Sequence, residues 1–390
     1  MPTAQMGAIT IKMRVIKLIT LSLVGWYLFL ILVHYFNQRP LWNDEVCILA
    51  NILEKTPGDM FQTPLSHLQQ FPRVYLLAIQ QFSKHFDFHL LALRFIPFIC
   101  MFAAFLIWFY IGFLELGEGI ALLTFVGCWV ASAPLIYYAA ELKQYSMDVL
   151  AAGVFVLVLR DHRKLESCFW ILPLFGLFSY PAFFFMGFPA FYFLRKYNFR
   201  KFFGYIFLCL VVLGIVYNFD IKVNAVNSIG TYWNDHFISL SSWKLFFKTL
   251  GENFNNLISR WFVENPKWIR GMARFFIPIG LLYLIFSAWK TFKKDKFMFY
   301  SVNAIALAVL IEHILAGVLQ KYPFAVPRTS LFFAPMLLLM TAKGIYWIKD
   351  KQKSVYYILQ YVFLIYLGYI SLGLARIIFA GDLGAQPSLI

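Results

Sequence analysis

The sequence predicts an all-α polytopic membrane protein, a single bundle of about 11 transmembrane helices. Three observations predict this fold class. Of the 390 residues, 61% are hydrophobic and 14% are charged, whereas soluble domains have roughly 45–50% apolar and about 25% charged residues. The apolar residues come in blocks of roughly 17–25, long enough for a helix to cross about 30 Å of hydrocarbon. Short turns rich in Lys and Arg separate these blocks.

The apolar blocks give the predicted spans in chain order. The first span, 15–36, has Lys12, Arg14 and Lys17 at its N-terminal end and no small-residue cleavage site, so we interpret it as a retained anchor. The later spans are predicted at 94–114, 119–139, 146–160, two shortish helices within 168–194, then 202–219, 273–289, 297–319, 330–348 and 355–375.

The block 168–194 is divided because Pro173, Pro181 and Pro189 interrupt it, and proline removes a helix donor. Dividing it near Tyr180 also places every strongly basic turn on one side: 12–17, 160–164, 195–201, 290–296 and 349–353. Because Lys and Arg are retained on the cytoplasmic side, we predict a cytoplasmic N-terminus. Because the apolar blocks recur along the chain, we predict a single transmembrane domain over 1–375. Outer segments then lie at 37–93 and 220–272, with a short outer tail at 376–390.

The formal net charge of +15 is explained by this topology, because a nucleic-acid-binding protein would carry its basic residues on one water-facing surface. The five cysteines show no disulfide or metal spacing. The outer segments carry apolar residues at helical spacing, which predicts amphipathic helices at the membrane surface. The three sets are Val46, Leu49, Ala50 and Leu53; Tyr75, Ala78, Ile79 and Phe82; and Trp243, Phe246, Phe247, Leu250, Phe254, Leu257 and Trp261.

The first candidate site is the acid pair Asp44 and Glu45 in "LWNDEVCILANIL", within the first outer segment. A structural explanation exists, because Asn43 could cap a helix whose dipole favours acids in its first turn. That explanation does not account for two adjacent acids in a chain with so few. A carboxylate there could act as a general base.

Two further candidates are cations in outer segments, where Lys and Arg are unusual. The turn "AAELKQYS" carries Glu141, Lys143 and Tyr145, and the loop "QKYPFAVPRTS" carries Lys321 and Arg328. A snorkelling lysine or an interfacial anchor would also explain them. Arginine, however, suits phosphate because its planar group donates two parallel hydrogen bonds. Together, a base and outer cations fit transfer of a sugar from a lipid phosphate, whose leaving group is negative.

In its order of parts, the chain resembles the GT-C superfamily of polyprenyl-phosphate-sugar-dependent glycosyltransferases, near the protein O-mannosyltransferase and aminoarabinose transferase branch. The resemblance rests on the following stretches: "NDE", "TPLSHLQQF" (Thr63 to Phe71), "LALRFIPFI" (Leu91 to Ile99), "ELKQYS", "SYPAFF" (Ser179 to Phe184) and "YPFAVPRTSLFFAP" (Tyr322 to Pro335). It implies a catalytic acid at Asp44 with Glu45 beside it. It also implies a cation at Lys143, where relatives commonly have Arg.

The resemblance implies an inverting transfer from a polyprenyl-phosphate sugar to an unknown hydroxyl acceptor, and we expect it on the extracytoplasmic face of a bacterial inner membrane. We expect the phosphate between Lys143 and Arg328, with Lys321 nearby, and Glu141 positioning Lys143. Tyr145, His67, Tyr180 and Tyr322 are expected to support the site. No cofactor is required, although Asp44 or Glu45 could hold a divalent metal.

Two other functions remain open at this point. A transporter or flippase for a lipid-linked saccharide would need polar groups near mid-membrane, for which Glu312 is the main candidate. Another membrane group transferase would also use outer carboxylates and cations, and metal dependence would distinguish it. His67 and His313 are more often structural than metal ligands, because a metal needs several clustered ligands.

Overall fold

The structure is a computed structural model that describes residues 3–224, 236–262, 267–294, 301–324 and 326–381, with side chains from residue 13 onward except 267–270 and 292–294. These residues form helices and turns, and no strand occurs among them. Parts of five predicted segments lie outside the described residues. They are 225–235 and 263–266 of the outer loop, 295–296 of a basic turn, 297–300 of the span 297–319, residue 325 of the loop "QKYPFAVPRTS", and 382–390 of the tail.

The helices follow one another with short connections. In chain order they are α1 (Thr3–Phe36), α2 (Asn43–Glu54), α3 (Pro57–Gln62), α4 (Arg73–Lys84), α5 (Leu90–Leu116), α6 (Ile120–Val130), α7 (Ala133–Tyr137), α8 (Tyr145–Leu159), α9 (His162–Cys168), α10 (Phe183–Arg195), α11 (Phe199–Val216), α12 (Trp243–Ser259), α13 (Lys267–Lys294), α14 (Val302–Val318), α15 (Ala334–Ile348) and α16 (Lys353–Phe379). A π turn at Tyr217–Ile221 and a last turn at Lys222–Asn224 extend α11.

Six stretches of the described chain are long and apolar enough to cross a membrane. They are Met13–Phe36, Leu90–Leu116, Phe199–Asn224, Gly271–Thr291, Leu331–Ile348 and Lys353–Phe379. A seventh span would combine Ile120–Val130 with Ala133–Ala140, which are bent by 65° at their junction. The apolar helices α8 and α14 are shorter. The all-helical membrane fold is therefore confirmed, whereas the predicted count of about 11 spans is not.

The divided block 168–194 differs from the prediction of two shortish helices. Only its second half forms an α-helix, α10. The first half forms 3₁₀ turns at Leu172–Leu177 and Tyr180–Ala182. Pro173 and Pro181 lie at the first turns of these 3₁₀ segments, where a missing N–H is tolerated, and they prevent a continuous helix through the block.

The helices α5, α8 and α15 run in the same direction, and their ends define two ends of the bundle. Their N-termini form the near end, which carries the first outer segment. Their C-termini form the far end, where Glu115 of α5 contacts both Arg160, directly after α8, and Lys343 of α15. Lys17 of α1 also lies at the far end, where it contacts Glu118 at 2.8 Å.

Two glycines allow α13 and α15 to approach closely at the centre of the bundle. A Cβ atom on Gly280 of α13 would lie 2.6 Å from the backbone nitrogen of Thr341, and one on Gly344 of α15 would lie 2.8 Å from the carbonyl oxygen of Ile279. Small residues permit such backbone contact between membrane helices. The close approach contributes to the burial of α15. The loop that carries Arg328 precedes this buried helix and lies at the near end.

The first outer segment forms a layer over the near end of the bundle. The buried apolar side chains of this layer pack with Leu93 and Leu142, and they are Ile48, Ile52, Met60, Leu65, Phe71, Tyr75, Leu76 and Ile79. The amphipathic helices form where they were predicted. In α2, however, Val46 and Leu53 are exposed, and the face turned toward the protein is that of Glu45, Ile48, Asn51 and Ile52.

Candidate active site

Three residues from distant parts of the chain meet at the near end of the bundle. Arg328 Nη1 lies 2.9 Å from Asp44 Oδ2, and Lys143 Nζ lies 3.6 Å from the same oxygen. The Asp44 side chain is 27% exposed, that of Arg328 15% and that of Lys143 6%. A carboxylate that is reachable from outside thus lies between two cations, one of which is almost completely buried.

Lys143 is held by a second residue of the first outer segment. Its ammonium donates a hydrogen bond to Gln69 Oε1 at 2.8 Å. Burial lowers the pKa of the Lys143 ammonium below its ordinary value, and the negative charge of Asp44 opposes this shift. The two residues before Gln69, His67 and Leu68, have φ of 59° and 55°. This left-handed backbone is unfavourable for a leucine, and the turn it forms presents Gln69 to Lys143.

Glu45 lies in an environment quite unlike that of its neighbour Asp44, because its side chain is 0% exposed. Arg94 of α5 donates two hydrogen bonds to Glu45, from Nε to Oε1 at 3.0 Å and from Nη2 to Oε2 at 2.9 Å. Arg39 Nη1 adds a bond at 2.7 Å and the backbone N–H of Leu142 another at 2.8 Å. Glu45 therefore joins α2, α5 and the turn that carries Lys143.

The start of α2 differs from the sequence-based suggestion that Asn43 caps this helix. The helix begins at Asn43 and its N-cap is Trp42, so Asn43 is not the cap. The backbone N–H of Trp42 points instead to Glu45 Oε2 at 3.4 Å. The Trp42 indole donates to Glu141 Oε1 at 2.9 Å, which connects this helix start to the "ELKQYS" turn.

Glu141 is buried, and it does not hold the Lys143 ammonium as predicted. Its Oε1 is bound by Trp42, while its Oε2 has no hydrogen-bond partner within the described part of the chain. Lys143 is instead bound through Gln69 and Asp44. Burial raises the pKa of the Glu141 carboxyl to about 7, and the charge of Glu45 adds to this effect.

Two of the predicted tyrosines support the loops that carry the cations. Tyr145 is buried at the start of α8, and its ring packs edge-on against Tyr138 with centroids 5.0 Å apart. The Tyr322 hydroxyl donates to the carbonyl oxygen of Thr329 at 3.0 Å, which steadies the backbone directly after Arg328. The structure places both residues beside the charged group rather than in contact with Asp44.

His67, Lys321 and Tyr180 lie apart from the charged group. His67 and Lys321 are exposed, and across the described residues neither side chain has a contact with Asp44, Lys143 or Arg328. The Tyr180 hydroxyl donates to Asp220 Oδ2 at 3.2 Å in a separate cluster. Lys321 therefore lies outside the group formed by Asp44, Lys143 and Arg328, and its side chain is exposed.

Sequence reasoning did not select four residues that shape this region: Arg39, Arg94, Gln69 and Arg73. Arg73 lies 3.4 Å from Asp220 and donates to Asn224 Oδ1 at 2.9 Å, which ties α4 to the end of α11. Arg94 carried a usable signal, because a charged residue inside an apolar block is costly unless it is paired. Gln69 carried none, because glutamine is ordinary in an outer loop.

Metal ligands do not cluster in the part of the chain that the structure describes, where no group of three His, Cys, Asp or Glu side chains is placed to hold an ion. Asp44 and Glu45 point to different partners, so they do not form a joint site. The charges that surround Asp44 come from Lys143 and Arg328 instead.

No protein-family model matches the chain, and no curated protein sequence matches it. Among solved structures the chain is similar to ArnT from Cupriavidus metallidurans in the apo state, with 12% identity and a TM-score of 0.53, over 94% of this chain and 78% of ArnT. It is also similar to the crystal structure of the same protein bound to undecaprenyl phosphate, with 11% identity and a TM-score of 0.51, over 94% of this chain and 73% of ArnT.

At these identities the similarity establishes the fold. The chain is an all-helical membrane protein with the GT-C-like fold, which confirms the fold that the order of sequence motifs predicted. This chain shares the architecture of ArnT from Cupriavidus metallidurans over 94% of its length.

Proposed function

We propose that this protein is a membrane glycosyltransferase that moves a sugar from a polyprenyl-phosphate donor to a hydroxyl group of an acceptor. The observation that carries the proposal is the Asp44 carboxylate, which lies between Arg328 and Lys143. The fold adds support, because ArnT is a GT-C glycosyltransferase and one of its structures is bound to undecaprenyl phosphate.

In this proposal Arg328 and Lys143 bind the phosphate of the donor. Arginine can donate to a phosphate through one edge of its guanidinium while another N–H remains on Asp44. Lys143 contributes a point charge and lacks the planar group that gives arginine two parallel hydrogen bonds. Because Lys143 is buried, its attraction to phosphate is little screened by water. Both charges stabilise the polyprenyl phosphate as it leaves with the electron pair of the broken sugar–oxygen bond.

Asp44 is the proposed general base. Its carboxylate takes the proton of the acceptor hydroxyl, whose oxygen forms the new bond to the anomeric carbon on the face opposite the departing phosphate. A single displacement of this kind inverts the configuration at that carbon. The partial exposure of Asp44 supports this role, because the acceptor must reach it.

Glu45 is proposed as a positioning residue rather than a second base, because its side chain is buried and bound by two arginines and a backbone N–H. It is the chain neighbour of Asp44, and its partner Leu142 is the chain neighbour of Lys143. The Glu45 contacts thus set the distance between the proposed base and one proposed phosphate ligand.

We propose that the site faces the extracytoplasmic side of a bacterial inner membrane. The far end of the bundle carries Lys17, Arg160 and Lys343, and positively charged turns are retained in the cytoplasm. The near end, with Asp44, then faces the other side. Labelling of single cysteines introduced at Asp87 and at Lys351 in intact cells tests this sidedness, and we expect only the first to react with a membrane-impermeant reagent.

The donor proposal is tested by binding of undecaprenyl phosphate to the purified protein, measured by native mass spectrometry. Arg328→Gln should weaken binding by about 10-fold or more, since a hydrogen bond to a charged group contributes about 1.5–3 kcal/mol. Lys321→Gln, an exposed cation of the same loop, is the matched control and should bind as the wild type does. Equal binding by all three proteins would overturn the phosphate role of Arg328.

Transfer itself is tested in vesicles whose polyprenyl-phosphate sugars carry a radiolabel. The wild-type protein should move the label from lipid to an acceptor and release polyprenyl phosphate. Movement of the intact labelled lipid across the membrane, without cleavage, would instead indicate a flippase and overturn the proposal. Loss of transfer on chelation of divalent ions would indicate a metal-dependent transferase.

A further inference from the structure

A cavity of about 500 Å³ lies at the far end of the bundle, remote from the candidate active site. Tyr110 and Leu114 of α5 form part of its wall, together with Leu157 of α8. The remaining wall is the segment 160–164, with the sequence Arg-Asp-His-Arg-Lys, whose last three residues begin α9. The cavity therefore has an apolar side between two membrane helices and a charged side at their ends.

The charged side has three cations and one carboxylate, and the carboxylate is already engaged. Asp161 Oδ1 accepts hydrogen bonds from the backbone N–H groups of Arg163 at 3.0 Å and Lys164 at 3.4 Å. Arg160 is paired with Glu115 at 2.8 Å. Arg163 has no ion pair among the described residues, and Lys164 reaches Asp161 only at 3.9 Å. Two exposed cations thus remain for an anionic ligand.

The apolar side suits a lipid. Tyr110 and Leu114 are 45% and 41% exposed on the outer surface of α5, where the membrane would surround the helix. A ligand that places an anionic group beside Arg163 and Lys164 can lay hydrocarbon along these side chains. A free phosphate ion would use only the charged side of the cavity.

We propose that this cavity binds an anionic phospholipid, with its phosphate group at Arg163 and Lys164 and its acyl chain along Tyr110, Leu114 and Leu157. Basic pockets between membrane helices on the cytoplasmic side bind anionic lipid headgroups. The retention of Lys and Arg in cytoplasmic turns accounts for the charges but requires no cavity with an apolar wall. The bound lipid joins α5 to α8, the helices whose other ends hold Arg94 and Tyr145.

The test uses the full-length protein in nanodiscs of phosphatidylcholine with a minor fraction of phosphatidylglycerol. Lipid retained on the protein after detergent extraction is measured by native mass spectrometry. The variant Arg163→Gln/Lys164→Gln should retain phosphatidylglycerol at least about 10-fold less than the wild type, because two charges near the headgroup are lost. The matched control Lys351→Gln/Lys353→Gln removes two exposed cations from another basic turn and should retain it fully.

An equal loss in both double variants would overturn the proposal, because general positive charge would then explain retention. Equal retention of phosphatidylglycerol and phosphatidylcholine by the wild type would overturn it as well. A second variant, Leu114→Trp, fills the apolar side without changing the charge and should also lose the lipid. Retention by Leu114→Trp, or full displacement of the lipid by inorganic phosphate, would show that the apolar wall does not bind an acyl chain.

Discussion

The two ends of the bundle each place one carboxylate between two cations from distant segments, but the bonds are distributed differently. At the far end, Glu115 uses Oε1 for Arg160 and Oε2 for Lys343, and Lys343 also donates to Asn303 Oδ1 at 3.1 Å. At the near end, Asp44 uses Oδ2 for both Arg328 and Lys143. Both oxygens of Glu115 are occupied by cations, whereas a single oxygen of Asp44 serves both.

We infer from this difference that the far-end cluster stabilises helix packing, whereas the near-end cluster can take part in a reaction. In the far-end cluster each oxygen of the carboxylate bonds a cation, so neither oxygen is left without a charged partner to accept a proton. A carboxylate that serves two cations through one oxygen keeps the other oxygen for a substrate. A phosphate can also take over part of the bonding of Arg328 and Lys143 without leaving Asp44 unpaired.

The largest expected effect is on catalysis, from Asp44→Asn. The variant keeps the shape of the side chain but cannot accept the proton, so transfer should fall by about 10³-fold. The unfolding transition is measured as well, since Asn still accepts a hydrogen bond from Arg328 but no longer carries the charge that offsets buried Lys143. Transfer of radiolabelled sugar is the measurement, with Asp87→Asn, an exposed acid of the same outer segment, as the control. Wild-type turnover in Asp44→Asn would exclude it as the base.

Glu45→Gln should mainly reduce stability, because Glu45 resembles Glu115 rather than its neighbour Asp44. Removing its charge leaves Arg39 and Arg94 buried without a counter-ion, and we expect a loss of about 3 kcal/mol in unfolding free energy. Thermal unfolding in detergent measures this loss. If Glu45→Gln unfolds as the wild type does while transfer is lost, Glu45 takes part in the chemistry directly.

The sequence was sufficient to identify the bundle, its outer helices and the three residues that meet at the near end. Asp44, Lys143 and Arg328 were found because a charge in an outer segment of an apolar chain is conspicuous. The division between Asp44 and Glu45 could not be predicted, because it depends on Arg94, which approaches from another helix. Similarly, the loop that carries Lys321 gives no local sign of the direction in which that side chain points.

Lys143 tests whether the near-end cluster needs charge or a particular geometry. Lys143→Gln should reduce transfer by about 10²-fold, since it removes a buried cation from the leaving phosphate. Lys143→Arg should retain most of the activity, because it restores the charge and can donate to phosphate. The ratio of kcat to KM for the donor is the measurement. Equal activity of the two variants and the wild type would remove Lys143 from phosphate binding.

Glu115→Gln should affect only stability and by a smaller amount. Glu115 is partly exposed, with 16% of its side chain accessible, so water can solvate the cations that lose their partner. We expect a decrease of about 1–2 kcal/mol in unfolding free energy. The activity of the folded protein should remain unchanged. A loss of transfer at unchanged stability would show that the far end also takes part in the reaction.

The smallest effect is a dependence of stability on pH that arises from Glu141 at the near end. Its pKa is raised to about 7 by burial, above its ordinary value of 4.5, so the folded protein binds a proton that the unfolded chain releases between these values. Stability is therefore lost as the pH rises from about 4.5 through about 7, and about 1 kcal/mol of this loss falls between pH 6 and pH 8. The Glu141→Gln variant removes the ionisation and should show a flatter profile over the same range. A wild-type profile in that variant would assign the pH dependence to another group. A flat profile in both proteins would mean that water reaches the unpartnered oxygen of Glu141. The cluster around Asp44 would then be more open to water than the burial of Glu141 indicates.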